Sequence, residues 1–274
     1  MDSLSDLLYS EVDSLSAYRS PKELIMQDNP VALVTGANKG IGLQIAKDLS
    51  THGFTVLVGS RDLENGDVAA KSVGNGARAI QLDVTDHHSI AAAAERIRDE
   101  LGRLDVLVNN AGISHADTPG RSLEEVVAAG HLSVAPLEEV HTVFETNVFG
   151  VIAVTQAMLP LLREAPEARI VNVASSGGSL TLNSDPTNPH RAMFGTYSAS
   201  KAAANAVTVA FAAELESAGI KVNAACPGFT ATDLNYFRGT RTVEQAAHEP
   251  VRLALIGADG PTGTFSNEDG PLPW

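Results

Sequence analysis

Thr35-Gly36-Ala37-Asn38-Lys39-Gly40-Ile41-Gly42 succeeds the apolar run Val31-Ala32-Leu33-Val34 and opens a helical stretch over residues 43–52. A short buried strand, a turn with glycines at fixed offsets and a helix together make a phosphate cradle. Gly36 permits the tight turn, Gly40 lets the backbone approach a pyrophosphate, and Gly42 allows close packing of helix on strand. The free N–H groups and the dipole at the start of the helix attract the anion. The ligand this implies is a dinucleotide. The spacing G-x-x-x-G-x-G departs from G-x-G-x-x-G, so its weight depends on the pattern of the remaining chain.

Beyond residue 52 that pattern is a regular alternation. Strands are expected over residues 54–59, 77–82, 104–108, 169–174 and 220–225, with a last one over 260–265. Helical patterns cover 63–73, 137–163 and 197–218, and another, capped by Thr85 or Asp86, runs to residue 101. Pro160 is expected to kink the pattern over 137–163 near its end. Residues 113–136 read as a long connection with a short helix, and 229–250 as a mobile lid with helical pieces. The class is α/β: a doubly wound parallel β-sheet of about seven strands with helices on both faces, binding ligands at the strands' carboxyl ends. Residues 30–274 read as one dinucleotide-binding catalytic domain. Residues 1–29 read as an N-terminal extension, either an amphipathic helix carrying Leu4, Leu7, Leu8, Val12, Leu15 and Tyr18 or a disordered leader.

Composition narrows the partners. The 274 residues carry 19 Lys and Arg against 33 Asp and Glu, a formal charge of -14 that opposes nonspecific attraction to nucleic acid or anionic lipid. Cys226 is the sole cysteine, so no intrachain disulfide forms, and no Cys/His grouping has metal-site spacing. No apolar run reaches ~18 residues and the first residues lack a signal peptide's positive region. These features together give a soluble, cytoplasmic protein with no membrane partner as the expectation.

Side-chain chemistry falls at the expected ligand edge. At the end of the second strand, Ser60 and Arg61 are placed to receive a 2′-phosphate through charge-assisted contacts, and Lys39 adds a cation nearby, which favours NADP(H) over NAD(H). The competing reading leaves both cations solvated and gives ribose binding to Asp62. Asp83 and Val84 are candidate adenine contacts, and Asn110, Ala111 and Gly112 a close approach to the cofactor. Tyr197 and Lys201 lie four residues apart and share a helix face. A tyrosine titrates near pH ~10, and an adjacent ammonium favours the phenolate, so the two form an acid–base couple.

In the order Thr35 to Gly42, Asp83, Asn109-Asn110-Ala111-Gly112, Asn147, Ser176, Tyr197 with Lys201, and Pro227-Gly228, the chain resembles the short-chain dehydrogenase/reductase family from about residue 31 onward. Asn38-Lys39-Gly40, Ser60-Arg61-Asp62 and Gly260-Pro261-Thr262-Gly263 look most like its NADPH-dependent carbonyl reductases. The resemblance implies a Rossmann-type sheet and hydride transfer between nicotinamide and the carbon of a small-molecule carbonyl or alcohol. It implies Tyr197 as proton donor, Ser176 as hydrogen-bond partner of the carbonyl oxygen with Ser175 facing away, and Lys201 as holder of the nicotinamide ribose. Asn147 would position a water leading to Lys201. Gly36, Asn38, Lys39, Gly40, Ile41 and Gly42 would hold the pyrophosphate end, while Pro227, Gly228 and Thr230 would shape the nicotinamide site and Thr232 contact carboxamide or pyrophosphate. The segments before Asn147 and before Tyr197 are longer than is usual in the family, which leaves the substrate open; Met193, Phe194, Tyr236 and Phe237 suggest an apolar lining. Ala202, Ala206, Ala210 and Ala213 offer either a self-association surface or a sheet contact. The reading from another class is a noncatalytic NADP(H)-binding regulator.

Overall fold

The computed structural model describes residues 29–116, 122–191 and 195–274. The expected extension over 1–29, apart from Asn29, therefore lies outside the described residues, as do Met193 and Phe194.

Chain order runs β1 Val31–Val34, α1 Gly40–Thr51, β2 Thr55–Ser60, α2 Leu63–Val73, β3 Arg78–Gln81, α3 His87–Leu101 and β4 Val106–Asn109. The second half continues as α4 Leu123–Ala129, α5 Leu137–Phe144, α6 Gly150–Leu162, β5 Arg169–Val173, α7 Leu180–Ser184, α8 Thr196–Leu215, β6 Lys221–Ala225, α9 Val243–Ala254, β7 Phe265–Asn267 and β8 Gly270–Pro271. The strands form one sheet in the order β3-β2-β1-β4-β5-β6-β7-β8, parallel throughout except for the last pair. Asp86 supplies the cap of α3, its carboxylate accepting from His88 N–H at 2.9 Å. The last parallel strand lies at 265–267 rather than 260–265, and a short antiparallel β8 comes after it.

Alternation along the strands divides the core in two. Val31 and Leu33 face α3, α6 and α8, whose Ile97, Met158 and Phe211 lie in the same apolar cluster. Ala32 and Val34 face α1, α2 and α9, with Ile45, Leu49, Ala69 and Val251. Both sheet faces are thus covered, which is why the strands read as unbroken apolar runs. Of the alanines expected at either a sheet contact or a self-association surface, Ala206, Ala210 and Ala213 are exposed and make no sheet contact; α8 turns Ala204, Thr208, Phe211 and Leu215 inward.

The helical pattern over 137–163 contains a feature its sequence did not announce. Between α5 and α6 the helix widens into a π-turn over Glu145–Phe149, and α6 runs on through Pro160. The irregularity therefore sits at Asn147, where a side chain must be re-aimed, and such turns are frequent at functional positions. By length and composition Leu137–Leu162 could cross a membrane, yet Val143, Val154, Met158, Leu161 and Leu162 are packed into the protein core.

A polar chain crosses the buried sheet. Asn109 Nδ2 donates to Asn172 Oδ1 at 2.9 Å and to Thr155 Oγ1 at 3.1 Å, and Asn172 Nδ2 donates to Thr208 Oγ1 at 2.8 Å. All four residues are buried. Asn109→Ala leaves the Asn172 carbonyl oxygen without its donor, and should cost about 2 kcal/mol of unfolding free energy, measured by urea denaturation.

Candidate active site

The sheet's strand order reverses between β1 and β4, and in open α/β sheets the crevice at this point receives the ligand. Gly36 adopts φ +61°, and a side chain there would meet the Ala111 backbone at 3.0 Å. Gly42 is closed to any side chain by the Asn110 amide and the Gly36 carbonyl. Its smallness thus serves the contact between two loops. Asn110 Nδ2 donates to the carbonyls of Thr35 at 2.9 Å and Gly36 at 3.1 Å, while Thr35 Oγ1 accepts from the backbone N–H groups of Asn110 and Ala111, each at 3.0 Å. Thr35 is a site residue to which its place in the glycine motif alone assigns no role.

The unpaired first-turn amides of α1, at Gly40, Ile41 and Gly42, open onto this crevice and fit a pyrophosphate. Asn38 lies in the same turn, half-buried. Lys39 does not stand free: its ammonium pairs with Asp233 at 2.9 Å, across to the loop beyond β6. The Thr232 methyl lies 3.7 Å from the position a side chain at Gly40 would take. Ser60 turns its hydroxyl onto the Asp62 carbonyl at 2.7 Å, and the Asp62 carboxylate caps α2 by accepting from Asn65 N–H at 2.8 Å. Arg61 is exposed beside them, with no ion pair among the described residues. Asp83 Oδ1 accepts both the N–H and the hydroxyl of Thr85, and Val84 is buried against Gly150.

Past β4, Gly112 brings the chain beside the α8 pair: a side chain on it would come within 3.2 Å of Asn147 Oδ1 and 3.5 Å of Lys201 Nζ. Asn147 Oδ1 accepts from Ile113 N–H at 2.9 Å, and its Nδ2 donates to Ile113 O at 2.8 Å and to Ser200 Oγ at 3.0 Å. This carboxamide clamps the Ile113 segment to Ser200 of α8. The loop after β6 makes hydrogen bonds within itself. Thr240 and Arg241 both donate backbone N–H to Phe229 O, Ala231 N–H donates to Arg241 O, and Thr230 donates its hydroxyl to Pro227 and Gly228 carbonyls. Tyr236 and Phe237 sit in it with exposed rings, and Tyr236 stacks on His115 at 6.0 Å.

Tyr197 and Lys201 do share a face of α8. Lys201 Nζ lies 5.9 Å from the Tyr197 ring centre and donates to the Val173 carbonyl at 2.9 Å. The serine beside Tyr197 is Ser175, whose side chain favours the ionised phenol against the effect of burial. Ser176 instead begins a short 3₁₀ turn and donates its N–H to Cys226 Sγ at 3.1 Å. The expectation that Ser176 points into the site and Ser175 away is thereby reversed. β5 ends at Val173, so strand alternation does not fix the direction of Ser175.

Electrostatics also differ from the sequence expectation. Burial pushes the Tyr197 phenol up to about 12, with Cys226 adding to the rise and the Ser175 side chain opposing it. The same burial pushes Lys201 down to about 8, against an upward pull from Cys226. Desolvation of a phenolate outweighs the neighbouring ammonium, so Tyr197 holds its proton at neutral pH.

Such a crevice, with an acid–base pair at its edge, defines a dinucleotide-dependent oxidoreductase. The chain belongs to the short chain dehydrogenase family, whose sequence profile matches residues 30–241. That makes it an oxidoreductase of the CH–OH/carbonyl class with a nicotinamide cofactor. It is 34% identical to (-)-isopiperitenone reductase of Mentha piperita, covering 88% of this chain and 97% of that one. Among solved structures it matches salutaridine reductase from Papaver somniferum with a TM-score of 0.73 and 31% identity, over 86% of this chain and 99% of the other. It also matches a 3-ketoacyl-(acyl-carrier-protein) reductase from Brucella melitensis, complexed with NADH, with a TM-score of 0.72 and 28% identity, over 87% and 96% of the two chains.

The lowered Lys201 sets a pH signature. Between pH 8 and 10.5 the unfolded chain keeps a proton that folded Lys201 has released, so this group's contribution to stability rises with pH across that window. Below it the folded protein bears the whole cost, about 3 kcal/mol. The stability of Lys201→Met relative to wild type should therefore be greatest near pH 7 and shrink by about that amount towards pH 10.5, as read from paired urea titrations.

Proposed function

We propose that the protein is an NADPH-dependent reductase of a ketone or aldehyde, able to run in reverse as an alcohol dehydrogenase. The observation that carries the reading is the juxtaposition of Ser175, Tyr197 and Lys201 beside the β1/β4 crevice. The bound cofactor supplies the hydride. Tyr197, protonated at neutral pH, donates its phenolic proton to the carbonyl oxygen as negative charge develops there. Ser175 hydrogen-bonds that oxygen, the role the sequence alone assigned to Ser176. Lys201 faces the phenolate left on Tyr197 and offsets its charge, and its ammonium, beside Gly112, would hold the nicotinamide ribose. Asn147 and Ser200 keep the floor of the site in register, since Ser200 Oγ donates to the Tyr197 carbonyl at 2.7 Å.

Preference for NADP(H) is supported by the exposed Arg61, which has no ion pair among the described residues, and by the engagement of Asp62 in capping α2. That cap takes one oxygen of the Asp62 carboxylate away from the ribose hydroxyls, while its charge remains. Lys39 reaches the same phosphate only by leaving Asp233, an exposed ion pair of little worth in itself. The names of two Mentha piperita relatives, (-)-isopiperitenone reductase and menthone neomenthol reductase, make isopiperitenone and menthone the starting substrates. A noncatalytic NADP(H)-binding regulator would need none of the proton-transfer residues.

Turnover should be followed as NADPH oxidation across cyclic ketones, aldehydes and quinones, in wild type and variants. Tyr197→Phe should abolish reduction while NADPH binding stays, and Ser175→Ala should lower kcat roughly 100-fold where Ser176→Ala lowers it little. A larger loss in Ser176→Ala than in Ser175→Ala would return the role to Ser176. For the cofactor, Arg61→Asp should weaken NADPH relative to NADH by about 1–3 kcal/mol. An unchanged ratio of the two Kd values would move discrimination away from Arg61.

A further inference from the structure

β5 ends at Val173, so Ser175 lies past the ladder and depends on other contacts for its direction. Its Oγ accepts from Gly177 N–H at 3.1 Å, and the Gly177 carbonyl accepts from Asn183 Nδ2 at 3.1 Å. Asn183 belongs to α7, a helix of five residues that could not hold itself in place. What holds α7 is the segment over residues 272–274. Thr181 N–H donates to the Trp274 carbonyl at 2.9 Å. Ser179, fully buried, donates its only hydroxyl proton to the Pro273 carbonyl at 2.7 Å while its Oγ accepts from Leu182 N–H at 3.1 Å. A continuous path therefore runs from Trp274 through Thr181, Asn183 and Gly177 to Ser175.

The same segment supports the turn from beneath. Trp274 stacks on Phe265 with ring centres 5.3 Å apart. Phe265 lies in a small apolar cluster with Ala174, Ala224 and Cys226, and Leu272 and Trp274 pack against it. Ala174 precedes Ser175, and Cys226 Sγ accepts the Ser176 N–H. Both the strand side and the helix side of the serine turn thus bear on one tryptophan.

We propose that residues 272–274 form a clasp that aims the Ser175 hydroxyl at the reacting oxygen, with Trp274 and Ser179 as positioning residues. This rests on the reductase reading for its effect on rate, while the state of the turn can be read without it. Misplacement of a reacting group by ~1 Å costs on the order of 100-fold, so a loosened clasp acts on kcat before it acts on cofactor binding, which is built at β1, α1 and β4.

The test uses the full chain as wild type, Trp274→Ala, Trp274→Phe and Ser179→Ala. Three quantities are measured: kcat per NADPH-binding site, with sites counted by nicotinamide fluorescence; NADPH Kd; and amide hydrogen exchange over residues 175–184. The expected result for Trp274→Ala is a fall in kcat of ~10-fold or more, NADPH Kd within ~2-fold, and faster exchange over 175–184 with α1 and β4 unchanged. Trp274→Phe keeps a ring on Phe265 and should recover most of the rate, and Ser179→Ala should change in the same direction as Trp274→Ala. Unchanged exchange over 175–184 in Trp274→Ala overturns the clasp, and faster exchange with unchanged kcat per site overturns its positioning role. A wild-type protein that binds NADPH and reduces no carbonyl would sink the reductase reading instead, and exchange would still decide whether Trp274 holds the turn.

Discussion

One carboxamide, that of Asn110, determines how close the two halves of the sheet's ligand edge can come. Its two N–H bonds take the carbonyls of Thr35 and Gly36, the same two residues at which β1 turns towards α1. Thr35 answers by accepting both N–H groups that come after β4. The Thr35 and Gly36 carbonyls and the Ala111 N–H, which would otherwise face a crevice without partners, are satisfied in this way. The glycine turn, the first-turn amides of α1 and the Gly112 approach to Lys201 all take their positions from this junction. Gly36 and Gly42 are glycines because any side chain there would strike Ala111 or Asn110.

Burial is the second constraint, and it acts on charge. A tyrosine and a lysine held away from water each shift towards their neutral forms, Tyr197 up to about 12 and Lys201 down to about 8. An isolated pair in solution behaves otherwise, with attraction between phenolate and ammonium as the only effect. In the folded protein the phenol is kept as a donor and the amine is kept near the point of losing its proton. Lys201 Nζ, 5.9 Å from the Tyr197 ring centre, is the cation that faces this phenol.

Several side chains near the site serve placement. Asn147 spends its hydrogen bonds on Ile113 and Ser200, made possible by a widened helical turn. Asp233 holds Lys39, and Tyr236 meets His115, so the loop after β6 touches both the glycine turn and the chain beyond β4. Exposed contacts such as these cost little individually to break, which suits a segment that must admit a dinucleotide beneath it.

Apolar periodicity and turn chemistry carried most of the architecture: the parallel sheet, the β1 glycine turn, the α2 bounds and the pairing of Tyr197 with Lys201 on one face of α8 are consequences of local spacing, legible along the chain because each depends on residues a few positions apart. The identity of the active-site serine was not legible. Ser175 and Ser176 are adjacent and chemically identical, and only the end of β5 at Val173 and the contact with Tyr197 distinguish them. The same holds for the π-turn at Asn147, for the pairing of Lys39 with Asp233 and for the path from Trp274 to Ser175. These depend on groups brought together from distant parts of the chain, and on the balance between desolvation and nearby charge, neither of which is encoded in neighbouring positions. Local sequence determined which elements form and which chemistries are present, and tertiary packing decided which side chains face one another and how each is charged.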